Sequence, residues 1–134
     1  MATRRASCQC GQLSLACEGE PVRISMCHCI CCQQRTGSVF GVQARFRRGQ
    51  ITSIDGLSTA FTRTADSGNN VTSHFCSQCG STVYWELGGF PDVIAVAVGA
   101  FADPGFPAPR HSVFERSRHA WSAALADEAV ERLD

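Results

Sequence analysis

Apolar and polar side chains alternate over three stretches of the chain, residues 13–17, 22–26 and 40–46, and this alternation is typical of strands with one buried face. Weaker patterns predict further strands at residues 58–63, 71–75, 82–87 and 111–116. Residues 93–98 are apolar without interruption, which predicts a strand buried on both faces. The chain is therefore predicted to be mainly β.

Turn-forming residues and two short helices complete this picture. The turn at Glu18–Pro21 separates the first two predicted strands, which we expect to pair and to deliver Cys27. A short helical turn is predicted over residues 29–35, and a loop rich in proline and glycine over 102–109. The last element is a predicted short C-terminal helix at residues 123–133.

Length, charge and hydropathy restrict the class of protein. With 134 residues and 44% hydrophobic composition, the chain fits one domain over residues 1–134. Twelve basic residues balance twelve acidic ones, so we do not expect binding to nucleic acid or to an anionic membrane. No apolar run approaches the roughly 18 residues of a membrane span, and a cytoplasmic location is expected.

Nine cysteines dominate the candidate chemistry, because thiols in a reducing compartment are retained chiefly for metal binding or redox reactions. A C-x-x-C pair followed by glycine, Cys76 and Cys79, supplies two sulfurs on a tight turn. The pair Cys8 and Cys10 is available to complete a four-cysteine zinc site. Such a site is closed, and its natural role is structural.

A second group of cysteines has metal-ligand spacing at Cys27, Cys29 and Cys32. Three thiolates leave the fourth zinc position open to water or to a substrate thiol, which is the catalytic pattern. They also give the site a net negative charge, which weakens zinc as an activator of water. Thiol transfer or addition of a thiol to a carbonyl suits this site better than hydrolysis.

Several alternatives remain open on sequence grounds. Cys31 or His28 could close the second group into another structural site, and His28 could instead shuttle a proton or face solvent on the knuckle. Neither a disulfide framework nor a redox dithiol is favoured, and Cys17 is interpreted as a small buried residue. The remaining candidates are arginines that could bind a carboxylate, namely Arg35, Arg45, Arg47 and Arg48, and two expected core residues, His111 and Trp121.

The combined motifs resemble the glutathione-dependent formaldehyde-activating family, which includes relatives of centromere protein V. The resemblance rests on three cysteine motifs and on shorter matches that span nearly the whole chain: residues 8–11, 27–32 with 35–38, 75–81, 98–99, 103–104, 111, 115–117 and 121. It implies a zinc-containing β-tent fold built on zinc knuckles.

The resemblance also implies the site residues and the reaction. It implies that four cysteines match structural zinc ligands, namely Cys8, Cys10, Cys76 and Cys79, and that three match a second, catalytic zinc, namely Cys27, Cys29 and Cys32. With two Zn²⁺ per chain and glutathione as co-substrate, the implied activity is that of a carbon-sulfur lyase. It makes S-hydroxymethylglutathione from formaldehyde, a detoxification reaction whose partners are a small-molecule thiol and an aldehyde.

Two departures from the family pattern and two rival functions accompany this hypothesis. Cys31 is an extra thiol between ligands, and Ala102 stands before Asp103 where the family often has a second acidic residue. One rival is a non-catalytic zinc module that binds a protein or nucleic acid, for which Arg45, Arg47 and Arg48 form the basic cluster of note. The other keeps the same site and acts on a different thiol adduct.

Overall fold

The computed structural model of the protein describes residues 1–125 and 131–133. Most of the regular structure in this part of the chain is β-strand, which confirms the predicted class. The elements are β1 (Thr3–Ser7), β2 (Ser14–Glu18), β3 (Arg23–Cys27), α1 (Ile30–Thr36), β4 (Gly41–Arg47), β5 (Ile51–Asp55), β6 (Ser58–Thr64), β7 (Asn70–Cys76), β8 (Thr82–Leu87), β9 (Val93–Ala97), β10 (His111–Val113) and β11 (Glu131–Arg132).

The chain divides into two compact units, one of Met1–Val22 with Ala44–Phe106 and the other of Arg23–Gln43 with Pro107–Asp134. Strand β4 begins in the second unit and ends in the first. The assignment of residues 1–134 to one domain stays a prediction. Among the described residues no helix has the length and apolar character that a bilayer span requires, since α1 has only seven residues.

The first unit contains the larger apolar core. Its strands form a sheet in the order β1-β2-β5 and a second sheet in the order β4-β9-β8-β7-β6. The predicted two-sided burial of β9 is confirmed, because three consecutive residues of this strand are buried. The larger fully buried side chains of this unit include Leu13, Leu15, Cys17, Phe46, Cys76, Val83 and Val96.

The second unit is smaller and has a polar interior. Its strands lie in the order β11-β10-β3-β4. Strand β10 runs parallel to β3 and pairs Ser112 with Met26, while β11 runs parallel to β10 and pairs Ser112 with Arg132. Ser25, His28 and Ser112 are all buried in this unit. The interior is therefore held by hydrogen bonds and charges as well as by apolar contacts.

Two predictions about elements need correction. Strands β2 and β3 do not pair with each other, because β2 lies between β1 and β5 whereas β3 pairs with β10. The predicted C-terminal helix overlaps the end of a 3₁₀ helix at Ala120–Leu125, and positions 126–130 lie outside the described residues. Glu131–Arg132 is a strand, since its backbone pairs with β10.

Candidate metal centres

Four cysteine sulfurs meet in the first unit. The Sγ atoms of Cys8, Cys10, Cys76 and Cys79, here called the first cluster, all lie within 4.8 Å of one another. Cys10 Sγ is 3.7 Å from Cys8 Sγ and 3.6 Å from Cys76 Sγ. The structure thus brings together the four residues that the spacing predicted as one site.

The turn after β7 aims backbone N–H groups at a cysteine sulfur. Cys76 Sγ accepts hydrogen bonds from the backbone N–H groups of Gln78 (3.3 Å) and Cys79 (3.4 Å). Gly80 closes the turn by donating to the carbonyl of Cys76 at 2.9 Å, and its φ of +79° is one that glycine adopts readily. Such N–H···S bonds favour the ionised thiolate, which is the metal-binding form.

A similar turn holds Cys8. Cys8 Sγ accepts a hydrogen bond from the N–H of Leu13 at 3.3 Å, and Gly11 donates to the Cys8 carbonyl at 3.1 Å. Gln12 lies between Gly11 and Leu13 in the sequence, and its side chain donates to Cys76 Sγ at 3.0 Å and to the carbonyl of Leu57. Gln12 therefore connects the two halves of the first cluster, a role that its sequence position gave no signal to predict.

Ser81 sets the charge state of the last cysteine of the first cluster. The side chain and the backbone N–H of Ser81 hydrogen-bond to the thiol of Cys79 and lower its pKa to about 5. A lowered pKa favours the thiolate form of Cys79, which is the form that binds a metal ion.

Three cysteine sulfurs meet in the second unit. The Sγ atoms of Cys27, Cys29 and Cys32, here called the second cluster, also lie within 4.8 Å of one another. Cys27 ends β3, and Cys29 is the N-cap of α1, where its Sγ accepts the backbone N–H of Cys32 at 3.3 Å. A strand end and the first turn of a helix thus direct three sulfurs to one point.

Cys31 and His28, which could have closed the second cluster, do not belong to it. Successive helical residues point about 100° apart, so that Cys32 faces the cluster while Cys31 is exposed. The side chain of His28 is 1% exposed and is bound elsewhere, as described below. Among the described residues the second cluster therefore has three donor atoms, against four in the first.

Without a bound cation, ionisation of all three thiols in the second cluster is unfavourable. Hydrogen bonds with Cys29 and Cys32, together with burial, raise the pKa of Cys27. The pKa of Cys32 is also raised: its hydrogen bond with Cys27 acts in the opposite direction, but contact with Cys29 and burial outweigh it. Three neighbouring thiols resist joint ionisation, and a divalent cation removes that resistance.

The donor chemistry of both clusters fits zinc. Thiolate sulfur is a common ligand of tetrahedral Zn²⁺ and of few other cellular cations. Mg²⁺ and Ca²⁺ require oxygen ligands instead. The first cluster offers the four sulfurs of a closed tetrahedral site. The second offers three, the number that leaves one tetrahedral position for another molecule. Both clusters could hold a metal ion.

Arg35 supplies positive charge beside the second cluster. Its Nη2 atom lies 4.0 Å from Cys32 Sγ and helps to stabilise the Cys32 thiolate. A Cβ atom at Gly41 would stand only 2.8 Å from that Nη2 atom. The missing side chain at position 41 therefore makes room for the guanidinium group. Arg35 is thus the sequence-predicted arginine that lies beside a cysteine cluster.

His28 is buried in the loop between two cysteines of the second cluster. Its Nε2 atom lies 2.9 Å from Ser112 Oγ and 3.6 Å from Glu115 Oε2, and its ring packs on Phe40 at 5.7 Å between centroids. Burial lowers the pKa of His28, although the carboxylate of Glu115 acts in the opposite direction. Of the alternatives that the sequence left open for His28, the solvent-facing one is wrong, because the segment around β10 covers the ring.

Glu115 is the charged centre of this buried network. Its side chain is 9% exposed, and its two oxygens contact Arg118 Nε at 2.8 Å and Arg132 Nη1 at 3.1 Å. The two guanidinium groups balance the carboxylate, as a buried charge requires. In the sequence, Glu115 stood out only as part of a family motif, and the nearby arginines were the signal that it could form a buried ion pair.

Gln33 of α1 ties the second cluster to the segment after β10. Its Nε2 atom donates to the carbonyl of His28 at 2.8 Å and to that of Ser117 at 3.0 Å. Its Oε1 atom lies 3.2 Å from His119 Nε2. The helix that carries Cys32 is therefore fixed to chain that lies more than 80 residues away in sequence.

The other sequence candidates lie in different surroundings. Arg45 stacks over the ring of Phe90, 4.8 Å from its centroid, and Arg48 forms an ion pair with Glu86 at 3.6 Å. The prediction that Trp121 lies in the core is wrong, because Trp121 lies on a 3₁₀ helix and its side chain is 60% exposed. His111 is only partly buried.

Comparison with known proteins identifies the family. The model of the glutathione-dependent formaldehyde-activating enzyme family matches residues 3–117, a range that includes both clusters. A crystal structure of a Rhodobacter sphaeroides protein, a structural-genomics target, has a TM-score of 0.61 at 16% identity over 97% of this chain and 99% of that chain, and so shares the fold. No curated protein sequence matches the chain. The chain belongs to the glutathione-dependent formaldehyde-activating enzyme family.

Proposed function

We propose that the protein is a zinc-dependent carbon-sulfur lyase that acts on glutathione or a similar small thiol. Its reaction is the addition of glutathione to formaldehyde, which gives S-hydroxymethylglutathione. The proposal is supported by membership of the family and by the contrast between a four-sulfur and a three-sulfur cluster in one chain. This difference in donor number is the observation that carries it.

The two clusters take different roles in this proposal. The first cluster holds a structural Zn²⁺, because its four sulfurs leave no position for substrate. The second cluster holds a catalytic Zn²⁺ through Cys27, Cys29 and Cys32. A zinc ion with a free coordination position supplies Lewis acidity, which favours the thiolate form of an incoming thiol. Binding of two zinc ions follows, and a reducing compartment such as the cytoplasm suits these thiolates.

The net chemistry requires little from the protein beyond orientation and charge. A C–S bond forms between the thiol sulfur and the carbonyl carbon, and the C=O π bond becomes a C–O single bond. The thiol proton ends on the new hydroxyl group, so no oxidant or reductant is needed. The thiolate is the nucleophile, and the chain's task is to hold it in that form.

Arg35 is the residue that we assign to substrate orientation. A metal ion held by three thiolates leaves one net negative charge, which repels an anionic thiol such as glutathione. The guanidinium group beside Cys32 offsets this charge and presents donors that can bind a carboxylate. The role proposed for Arg35 is therefore attraction and orientation of the thiol substrate rather than proton transfer.

Exchange NMR on formaldehyde with glutathione tests the proposal directly, because it measures interconversion at equilibrium. The uncatalysed reaction is the baseline, since formaldehyde combines with thiols on its own. We expect the protein to increase the exchange rate, and we expect Cys32→Ser to lose that increase. Cys31→Ser is the matched control, because it removes the adjacent exposed thiol outside the second cluster.

Three results would decide the outcome. Equal exchange rates with and without protein would remove the formaldehyde reaction and favour a non-catalytic zinc module. Equal loss of activity in Cys31→Ser and Cys32→Ser would contradict the assigned ligand set. If metal analysis gave one zinc ion per chain in both the wild type and Cys32→Ser, the proposal that the second cluster holds a catalytic zinc ion would be contradicted.

A further inference from the structure

We infer that Glu115 is a positioning residue for the second cluster, which it orients through His28. The inference rests on the proposed metal site at Cys27, Cys29 and Cys32 and adds to it a residue that lies more than 80 positions away along the chain. The carboxylate itself is not a metal ligand. It acts on the loop from which two ligands project.

The loop at His28 is held by its backbone and by its side chain. Its N–H donates to the carbonyl of Val113 at 3.1 Å, and its carbonyl accepts from Gln33 at 2.8 Å. Its ring is fixed by Ser112 at 2.9 Å. Because His28 is the single residue between Cys27 and Cys29, a displacement of its backbone would move both sulfurs, and an anchored ring resists such a displacement.

Glu115 restrains the ring of His28 from the side of the segment after β10. Its Oε2 atom is shared between Arg118 Nε, at 2.8 Å, and the Nε2 atom of His28, at 3.6 Å. The same His28 nitrogen also faces Ser112 Oγ. The hydrogen bond with Ser112 and the contact with the buried carboxylate therefore restrain the same ring nitrogen from two directions.

Two arginines make this arrangement rigid. Arg132 Nη1 donates a hydrogen bond to Glu115 Oε1, and Arg118 Nε forms an ion pair with Oε2, so that both carboxylate oxygens are restrained. Arg132 is on β11, beyond the range that the family model matches. The positioning network thus includes a part of this chain that the family comparison does not cover.

Outer residues of this kind determine how well a metal site is preorganised. Loss of a residue that orients a metal-binding loop commonly weakens metal binding by about tenfold to a hundredfold. A carboxylate that only stabilised the fold would affect both clusters through general unfolding. A positioning carboxylate should change the second cluster alone, and this difference makes the two roles separable.

The test is metal binding by the full chain, with Zn²⁺ affinity measured by chelator competition and geometry by Co²⁺ absorption. We expect Glu115→Gln to weaken binding at the second cluster about tenfold to a hundredfold and to change its Co²⁺ d–d bands. Affinity at the first cluster should not change. Glu131→Gln is the matched control, because Glu131 adjoins Arg132 but pairs with the partly exposed His111.

A milder variant covers the case in which Glu115→Gln unfolds. Ser112→Ala removes only the hydroxyl group that faces His28, and we expect it to weaken the second site alone. Unchanged affinity and an unchanged Co²⁺ spectrum in Glu115→Gln would overturn the inference. If Glu115→Gln proved unfolded, an unchanged second site in Ser112→Ala would overturn it.

Absence of a second metal in the wild type would instead overturn the proposed function. The variant Cys29→Ser identifies which binding phase belongs to the second cluster.

Discussion

The guanidinium group of Arg35 lies against the thiol of Cys32, with Nη2 4.0 Å from Sγ. Replacement by methionine keeps much of the side-chain volume but removes the charge. We expect Arg35→Met to lower kcat/KM for glutathione about tenfold, chiefly through a higher KM, because the anionic thiol loses its attraction to the site. Exchange rates measured over a range of glutathione concentrations would show this.

Arg47→Met is the control for general loss of positive charge, because Arg47 is exposed at the end of β4. An equal loss in both variants would indicate a charge effect of the whole protein rather than a contact at the site. Gly41→Ala gives an independent check, since its Cβ would displace the Arg35 guanidinium group. We expect a smaller loss than in Arg35→Met, because a flexible side chain can move aside.

Removal of metal should proceed in two steps. We expect a moderate chelator to take one zinc ion from the second cluster first, because it has three donors against four in the first cluster. Release of the second ion, from four sulfurs, should need a stronger chelator and should unfold the first unit. Metal analysis and circular dichroism after each step would measure this.

The order of release can be assigned with one variant. Cys29→Ser should lack the early phase and keep the late phase with its effect on folding. A single phase for both ions, or unfolding upon the early release, would show that the two clusters are not divided into structural and catalytic sites. Restoration of the early phase by added zinc is the control for irreversible oxidation of the thiols.

Gly56 should be the glycine that is most sensitive to substitution in the first unit. Its φ is +100°, and a Cβ atom there would overlap the backbone oxygen of Gln12. Because backbone cannot move aside as a flexible side chain does, we expect Gly56→Ala to lower the free energy of unfolding by about 3 kcal/mol. The first cluster should also weaken, since Gln12 contacts Cys76 Sγ.

Two alanine variants separate the causes of this effect. Gly68 has a φ of +88°, and no atom lies near the position of a Cβ there. Gly68→Ala should therefore lower the free energy of unfolding by about 1 kcal/mol, from backbone strain alone. Gly49→Ala has neither feature and should change stability by less than about 0.5 kcal/mol. Urea unfolding of the zinc-loaded proteins would rank the three. Equal losses at positions 56 and 68 would contradict the role of the Gln12 contact.

The strands that the sequence predicted most clearly bury several side chains, whereas β6 was predicted from a weaker pattern although none of its residues is buried. Alternation located β2, β3 and β4, and the apolar run located β9. It missed β1 and β5, because β1 buries only Ala6 and no residue of β5 is fully buried. Such strands are stabilised by backbone pairing, which leaves little periodicity in the side chains.

Strand partners and buried charges were less predictable because they depend on distant parts of the chain. Local turn signals suggested that β2 and β3 pair, whereas β3 finds its partner in β10. Spacing predicted both cysteine clusters, since the geometry of a tight turn is local. The burial of His28 and the part played by Glu115 depend on contacts across more than 80 residues, and no local pattern records them.

The first cluster joins sulfurs that are widely separated in sequence, since Cys10 and Cys76 stand 66 positions apart. During synthesis on the ribosome, Cys8 and Cys10 therefore wait until Cys76 and Cys79 have been made before the four-sulfur site can form. The second cluster needs only six consecutive residues, yet the carboxylate that we infer to orient it, Glu115, is made more than 80 residues later. We expect the nascent chain to depend on cellular protection of its thiols from oxidation and from other metals until these distant residues have been made.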